Sequence, residues 1–536
     1  MRQKHAHTLR CCVTLALVVG SCTLSGSPSQ GGLKRPTPDE SDAFFTNGVI
    51  PHLKIEITGT NYQNLQQNNR EYVRAKVTDG KTVYEDVGIH LKGAAGSFQP
   101  LEAKPALTLN FDKFKDGQRY RGIDKLHLNN SRQDPSYITE LLCSELFLAA
   151  GVPTPRATHA RVELNGRPLG LYVLKEGFDK RFLRRHFESA RGNLYDAGFI
   201  KDITEPLERD EGEGPPHVDL RRLAAAAMES DADARWAKLE KLVDMDCMIS
   251  FLALEMMTWH WDGYAMKHNN YRVYHEPSSD KMYLLPHGMD QMFWAPDGGI
   301  FPMTSEQGLL ARAILVTPQG RKLYREQVGL LLTNHFKVER LTSRIDEIQR
   351  RIRPVLASIS PSAARNHDGA VNHLREQVIG RVQGIQYHLE QPEPKPLQFE
   401  SGVAKLANWR MHNVQGVAAL DKATASGVKA LHIGVNQPVS ASWRSRVMLD
   451  PGVYRFEGRI KTAGVAAYES SRGQGAGLRI SQSRRPNRVT GDSDWKTVSF
   501  DFGLPDFREV ELVCELTALR GEAWFDLDSL KLIKRQ

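Results

Sequence analysis

The chain has 536 residues, of which 40% are hydrophobic and 25% are charged; this composition is typical of a globular protein and excludes a largely disordered chain. At this length two or three domains are expected, because single hydrophobic cores seldom exceed about 250–300 residues. The formal net charge of +8 comes from basic residues interleaved with acidic ones, so we expect no nucleic-acid partner.

Residues 1–22 have the features of an export signal. A basic start is followed by a short apolar run, and Val19-Gly20-Ser21-Cys22 resembles a bacterial lipobox in which Cys22 carries the lipid. A simple secretory peptide is the alternative, and both predict an exported chain that is secreted or held at the cell envelope. Residues 23–45, rich in Pro, Gly and Ser, predict a flexible tether, and a lipid on Cys22 would attach it to a membrane.

Three cysteines remain beyond this region, Cys143, Cys247 and Cys514. They are odd in number, widely spaced and set in apolar runs. The pattern argues against a disulfide framework or a zinc site and predicts buried core residues.

Residues 50–125 alternate apolar and polar residues, which predicts β-strands. Between two of these strands lies a small-residue loop in which the backbone N–H groups of Gly93, Gly96 and Ser97 can approach phosphate. Lys104 opens the next strand, within reach of phosphates held under the loop. An ordinary hairpin connection and a solvated lysine are the alternatives at these positions.

A helix is predicted over residues 138–150 from its apolar stripe. Glu140 on this helix is a candidate partner for a phosphate-binding lysine, with a solvated helix face as the alternative. A hairpin closed by Asn165-Gly166 follows. It ends at Glu176, where strands give way to helices and backbone groups would hold a nucleotide base.

The stretch 259–294 carries the strongest chemical pattern. An apolar helical run leads to Asp262, the pair Asn269-Asn270 follows, and two strand-like runs lead to Asp290. Protein-kinase catalytic loops supply a base, a metal-ligating amide and a metal-ligating carboxylate in this order. Such oxygen ligands suit Mg²⁺, which phosphoryl transfer needs to neutralise the phosphates.

A transition-metal site is the alternative for the same stretch. Its candidate ligands are His260, Asp262, His268, His287 and Asp290. Such a set would support metal-assisted hydrolysis, although the close His spacing of common zinc motifs is missing.

Several ordered segments together resemble the CotH family of atypical kinases. They read LKGAAGS, KPALTLNF, GIDKLHLNNSRQDPSYITELL, NGRPLGLYVLKEGFDKRFL, WDGYAMKHNNYRVY and LLPHGMDQMF. The resemblance implies an α+β, protein-kinase-like fold of two lobes over residues 46–392. In one respect the chain departs from the family, because Gly288 stands where many members have the first carboxylate of Asp-x-Asp.

The resemblance also implies roles for individual residues. Asp262 would be the catalytic base, and Asp290 with Asn269 or Asn270 would hold Mg²⁺ or Mn²⁺. The nucleotide-binding residues would be Lys104, Gly93, Gly96, Ser97, Glu140 and Glu176. The implied reaction transfers the ATP γ-phosphoryl group to Ser or Thr hydroxyls of surface or secreted proteins. A non-catalytic surface adhesin or coat protein that keeps the fold is the alternative.

Residues 393–400 form a Pro-rich linker, and a different composition follows. From 401 to 536 many short alternating runs predict an all-β sandwich of the jelly-roll type. Its closing run, GEAWFDLDSLKLI, resembles the last strands of galactose-binding and carbohydrate-binding modules. The resemblance implies a polysaccharide partner, although the aromatic residues fit a core equally well.

Overall fold

The structure is a computed structural model that describes residues 32–34, 38–94, 96–301, 307–392, 395–413, 418–468, 470, 473–504 and 507–535. The export signal with Cys22 and most of the predicted tether lie outside the described residues. Within these ranges no helix has both the length and the apolar character needed to cross a membrane.

Seven strands close into a barrel in the first part of the chain, in the order β1-β2-β3-β4-β5-β7-β6. Strands β1 and β6 are parallel, and the other neighbouring pairs are antiparallel. Alternate apolar residues of these strands fill the barrel. The elements of this part are α1 (Asp42–Thr46), β1 (His52–Glu56), α2 (Gly59–Gln67), β2 (Val73–Asp79), β3 (Thr82–Lys92), β4 (Ala106–Asn110), β5 (Lys125–Asn129), α3 (Thr139–Ala149), β6 (Ala157–Leu164) and β7 (Arg167–Glu176).

A mostly helical part follows, built around a second core that also includes the apolar face of α3. It contains a four-stranded sheet in the order β11-β10-β8-β9. Its elements are α4 (Lys180–His186), β8 (Leu194–Asp196), β9 (Glu208–Glu211), α5 (Val218–Ala227), α6 (Ala232–Leu242), α7 (Met245–Met257), α8 (Tyr264–Lys267), β10 (Tyr271–Glu276), β11 (Lys281–Pro286), α9 (Leu309–Leu315), α10 (Pro318–Asn334), α11 (Val338–Ile359) and α12 (Pro361–Glu390).

The last part consists of antiparallel strands around a third core. Its strands are β12 (Val403–Lys405), β13 (Arg410–Asn413), β14 (Ala419–Ala425), β15 (Val428–Val435), β16 (Val439–Leu449), β17 (Gly452–Ala467), β18 (Gly475–Ile480), β19 (Gly491–Leu504), β20 (Arg508–Asp526) and β21 (Lys531–Arg535). The long strand β20 pairs with β15, β16, β17 and β18. Arg479 and Glu515 form a buried ion pair here at 2.6 Å, with both side chains almost fully enclosed.

The mixed α and β class and the sandwich-like sheets of the last part are confirmed. The finer expectations, two kinase lobes and a jelly-roll topology, stay predictions. The three cysteines are buried and unpaired, as the sequence predicts.

The predicted tether ends at residue 45, whereas the chain is already held in place a few residues earlier. Ser41 and Phe44 are buried. Arg156 donates hydrogen bonds to the Ser41 hydroxyl and to Asp42, each at 2.7 Å. Burial of Phe44 against the barrel and the charge of Arg156 therefore fix a segment whose composition predicts flexibility.

Candidate functional site

The loop that carries Asp262 is held by a buried glutamate. Helix α7 begins at a cap in which the Asp244 side chain accepts from the Cys247 N–H, and its apolar residues are enclosed on all sides. Near its end Glu255 is fully buried. The Glu255 carboxylate accepts hydrogen bonds from the backbone N–H groups of Tyr264 at 3.1 Å and Ala265 at 2.6 Å. These bonds fix the turn that presents Asp262 between α7 and α8.

The two asparagines of the Asn269-Asn270 pair point in different directions. The Nδ2 group of Asn270 donates to Oδ2 of Asp262 at 3.1 Å. Asn269 is buried, and its Oδ1 accepts a hydrogen bond from the backbone N–H of Ile200 at 2.9 Å. The Asn269 side chain is therefore used to hold the backbone at Ile200. Asn270 is therefore the residue of the pair whose side chain is hydrogen-bonded to Asp262.

Gly288 leaves room for Asn270. A Cβ atom at position 288 would lie 2.9–3.0 Å from the Asn270 amide group, and the φ angle of Gly288 is +60°. Both facts exclude an ordinary side chain at this position without rearrangement. Where many family members have the first carboxylate of Asp-x-Asp, this chain therefore has a glycine, and the Asn270 amide lies in the space that a side chain at position 288 would enter.

Asp290 follows strand β11 and carries a perturbed carboxyl group. Burial raises its pKa to about 6, and the negative charges of Glu140 and Asp134 add to the effect while Lys175 opposes it. Among the described residues no side chain donates a hydrogen bond to this carboxylate. The carboxylate accepts a hydrogen bond from the Asp290 backbone N–H, and a nearby cation would stabilise its ionised form.

Two lysines that the sequence analysis did not select meet Glu140 inside the protein. Lys175 forms an ion pair with Glu140, and the two side chains are only 1% and 2% exposed. The Lys92 ammonium donates to Oδ1 of Asn129 at 2.5 Å, and the Asn129 amide donates in turn to Glu140. We call Lys92, Asn129, Glu140 and Lys175 the lysine cluster.

The electrostatics of the lysine cluster link it to Asp290. The pKa of Lys92 is lowered to about 8, mainly by burial and also by the charge of Lys175. The charges of Glu140 and Asp290 act in the opposite direction and raise it. A buried cation whose pKa is depressed gains from an additional anion nearby. The cluster is therefore suited to binding a negatively charged ligand beside Asp290.

The sequence holds a weak signal for both lysines. Lys92 directly precedes Gly93 of the small-residue loop, and Lys175 follows the apolar run LYVL, next to Glu176. Lysine is almost never fully buried without a partner, so a lysine in a buried strand predicts an ion pair. The partner itself is not evident from local sequence.

Lys104 occupies a different environment. Its ammonium donates to the Tyr137 hydroxyl at 3.0 Å and lies 4.9 Å from the centres of the Tyr137 and Tyr172 rings. Burial lowers its pKa to about 8. The side chain therefore sits in a tyrosine cage, and its assignment to nucleotide phosphates stays a prediction.

The small-residue loop is tied to both Lys104 and the Asp290 segment. The Asn130 amide donates to the backbone oxygens of Ser97 and Lys104, each at 3.0 Å. Gly93 and Gly96 have φ angles of +98° and +84°. A Cβ at Gly96 would lie 2.7 Å from the Gln133 amide, so glycine permits the loop to approach the side chains below it.

Gln133 extends this connection to the Asp290 segment. Its Nε2 group donates to Oε1 of Gln291 at 3.1 Å, and Gln291 is the residue after Asp290. The small-residue loop therefore lies next to Gln133, whose side chain is hydrogen-bonded to the residue that follows Asp290, the candidate metal ligand.

The Glu176 side chain belongs to a structural ion pair. Arg156 donates to its two carboxylate oxygens at 3.0 and 2.6 Å, and the backbone N–H of Glu176 donates to the Arg156 carbonyl at 2.9 Å. Both residues are buried. Glu176 does end strand β7 as predicted, but its carboxylate and N–H are already used by the protein.

The alternative transition-metal set has other partners. Within the described ranges no group of three or more His, Cys, Asp or Glu side chains is arranged to hold a metal ion. His260 lies 3.2 Å from Glu255. Burial and the charges of Lys175, Arg272 and Lys92 lower the pKa of His287 well below its ordinary value. Burial and these charges favour the neutral form of the His287 imidazole.

The barrel strands carry three residues of the lysine cluster, and the helical part carries the Asp262–Asn270 pair. The model of the family described as CotH kinase protein matches residues 89–392, which is more than half of the chain. The chain belongs to the CotH family.

Two curated relatives are similar to this chain at low identity. Inner spore coat protein H of Bacillus subtilis is 25% identical over 304 residues, covering 52% of this chain and 81% of the relative. Invasin CotH2 of Rhizopus delemar is 24% identical over 261 residues, covering 43% of this chain and 44% of the relative. The chain thus spans less than half the length of this fungal relative.

A solved structure of TmCBM61 in complex with β-1,4-galactotriose is also similar. It is 16% identical, covers 25% of this chain and 92% of that chain, and gives a TM-score of 0.19. A likeness of this extent carries no conclusion about a ligand of this chain.

Proposed function

We propose that this protein is an exported phosphotransferase that moves the γ-phosphoryl group of ATP to Ser or Thr hydroxyls of surface or secreted proteins. The observation that supports this best is the buried lysine cluster beside the open carboxylate of Asp290. Lys92 and Lys175 would bind phosphate oxygens, and Glu140 would keep Lys175 in place. Belonging to the CotH family adds support.

A divalent cation fits the residues at this site. The Asp290 carboxylate has no side-chain donor, and neighbouring negative charge raises its pKa. The Asn270 amide donates through Nδ2 to Asp262, which leaves its Oδ1 as a ligand. Carboxylate and amide oxygens are preferred by Mg²⁺ and Mn²⁺, and a bound cation would neutralise charge on the phosphates.

Asp262 would act as the base. Its Oδ2 accepts from Asn270, so the other carboxylate oxygen is available to take the proton of the acceptor hydroxyl. The acceptor oxygen forms a bond to the γ-phosphorus while the bond between that phosphorus and the bridging oxygen of ADP breaks. ADP leaves, and the proton stays on Asp262 until solvent removes it.

The first test is transfer of radiolabelled γ-phosphate by the full chain with Mg²⁺ or Mn²⁺. Asp262→Asn preserves shape but removes the base, so label incorporation should fall at least about 100-fold. Lys92→Met should weaken Mg-ATP binding by about tenfold or more in calorimetry. Lys104→Met is the matched comparison and should weaken it less, because Lys104 is satisfied by the tyrosine cage.

One result would contradict the assigned base, and another would change the assignment of the lysines. Incorporation that persists unchanged in Asp262→Asn would remove the assigned base. Equal loss of Mg-ATP affinity in both lysine variants would show that the tyrosine cage opens and that Lys104 reaches phosphate, as the sequence predicts.

A second candidate function is a non-catalytic coat or adhesin role, and the glycine at position 288 favours it. Loss of the family's first carboxylate leaves fewer charged ligands for the cation. The relatives' names, spore coat protein and invasin, fit a surface-located protein, and a lipid on Cys22 would hold it at the envelope. Absence of transfer and of metal-dependent nucleotide binding with both cations would support this function.

The sandwich-like domain is proposed to bind polysaccharide. The half-buried ring of Trp524 on β20 stacks on His432 of β15 at a ring distance of 5.1 Å and offers an aromatic surface for a sugar. A glycan-binding screen with the full chain and with residues 396–536 tests this. Absence of binding by either would leave the domain as a spacer or a protein-docking module.

A further inference from the structure

A cavity of about 530 Å³ lies on one side of Asp290. This volume falls in the range of roughly 300–1,000 Å³ that is usual for small-molecule sites. Trp261 and Trp294 form part of its wall, and α12 contributes Gln377. Asp290 itself lines the cavity, and Trp261 is the residue directly before Asp262 in the chain.

The acidic groups of the lining disfavour an anionic ligand that carries no cation. No lysine or arginine is among the described residues that line the cavity, whereas Asp134 and Asp290 are. The cations near Asp290 belong to the lysine cluster, none of whose residues lines the cavity. The phosphates of a nucleotide would therefore bind on the side of the lysine cluster, which leaves the cavity for the acceptor.

The polar groups of the lining suit hydroxyl groups. Gln133, Gln291 and Gln377 offer amides, each of which can donate and accept, and a hydroxyl also does both. The mutual bond between Gln133 and Gln291 uses one donor and one acceptor, so each amide keeps further capacity.

The apolar part of the lining suits a ring. Trp294 is 52% exposed, and its ring lies 6.4 Å from that of Trp261 in an edge-to-face arrangement. Exposed tryptophan faces bury the apolar side of a ligand while their surroundings remain polar. A neutral sugar has this combination of apolar ring face and peripheral hydroxyls.

We propose that this cavity binds a neutral carbohydrate and that a sugar hydroxyl is a second class of phosphoryl acceptor. The inference rests on the proposed function for its chemical step. The sugar oxygen would form the bond to the γ-phosphorus, ADP would leave with the bridging oxygen, and Asp262 would take the hydroxyl proton. A protein that carries the sugar would be phosphorylated on its glycan in the same way.

The experiment uses the full chain and three neutral disaccharides, lactose, cellobiose and xylobiose. Tryptophan fluorescence measures disaccharide binding without nucleotide, and transfer of labelled γ-phosphate to the sugar is followed in parallel. Trp294→Ala and, separately, Gln377→Ala should weaken binding and transfer by about tenfold. Trp495→Ala, at a half-buried tryptophan of β19 that does not line the cavity, is the matched tryptophan control and should leave transfer to the sugar unchanged.

The outcomes separate this inference from the proposed function. Transfer to a Ser/Thr peptide with no disaccharide binding or transfer would overturn the inference and leave the proposed function standing. Disaccharide binding that is lost in Trp524→Ala but kept in Trp294→Ala would place the sugar in the other domain and also overturn it. Binding at Trp294 without any use of Mg-ATP would refute the acceptor role together with the proposed function.

Discussion

Replacing Asp290 by asparagine should stabilise the protein at neutral pH while removing the candidate metal ligand. Burial and the charges of Glu140 and Asp134 raise the pKa of Asp290 from its ordinary value of 3.8 to about 6. Above pH 6 Asp290 is therefore ionised in both states, and its ionised form is less stable in the folded protein than in the unfolded chain. Asparagine has nearly the same shape and no charge, so it removes this cost.

The magnitude follows from the size of the pKa shift. A shift of about two units corresponds to about 3 kcal/mol at most, since one unit is 1.36 kcal/mol. We expect a gain of about 1–3 kcal/mol in the free energy of unfolding of Asp290→Asn at pH 7.5. Because the pKa of Asp290 is higher in the folded protein than in the unfolded chain, the gain in unfolding free energy should shrink as the pH falls through 6. It should vanish below about 3.8, where the carboxyl group is protonated in both states.

The assay is urea unfolding of both proteins at several pH values between 4 and 7.5, without divalent cations. Asp297→Asn, an exposed position in the same segment, is the matched control and should change stability by less than about 0.5 kcal/mol. Added Mg²⁺ should stabilise the wild type and not the Asp290 variant. A variant no more stable than the wild type at pH 7.5, or a gain independent of pH, would refute the reasoning.

The remaining predictions concern the lysine cluster and Gly288. Lys175→Met should cost about 3–5 kcal/mol of unfolding free energy, because it leaves the buried Glu140 carboxylate uncompensated. Adding Glu140→Gln should restore part of that loss in chemical denaturation, and equal stability of the single and double variants would argue against the pairing. Gly288→Ala should cost more than the roughly 1–2 kcal/mol expected of a left-handed residue, because its Cβ also approaches Asn270. Gly198→Ala is the matched control, because Gly198 has a φ of +66° and no atom lies within 4 Å of the new Cβ. It measures the cost of the left-handed backbone alone. Equal decreases in melting temperature in the two variants would refute the expected clash between the new Cβ at position 288 and Asn270.

Local sequence was sufficient where periodicity and capping decide structure. The predicted helix over 138–150 corresponds to α3, and the two strand-like runs before Asp290 correspond to β10 and β11. These elements have strong apolar patterns over a full element length, and their turns carry residues with specific backbone preferences.

The two asparagines show where local sequence was insufficient. Asn270 adopts a left-handed φ of +49°, and this reverses the direction in which its side chain leaves the chain. Nothing in the sequence distinguishes Asn269 from Asn270 in this respect. Only the packing of Gly288 against the Asn270 amide decides which residue faces Asp262.

The order of the chemical groups was determined by the sequence itself, because Asp262, the asparagine pair and Asp290 are separated by one short helix and one hairpin. The lysine cluster was decided by the tertiary structure. Lys92 ends β3, Asn129 ends β5 and Lys175 lies in β7, and the register of the closed barrel brings these strand ends together. The pairing of β5 with β7, which are more than 30 residues apart, depends on the whole barrel, so no local pattern could reveal which lysine meets Glu140.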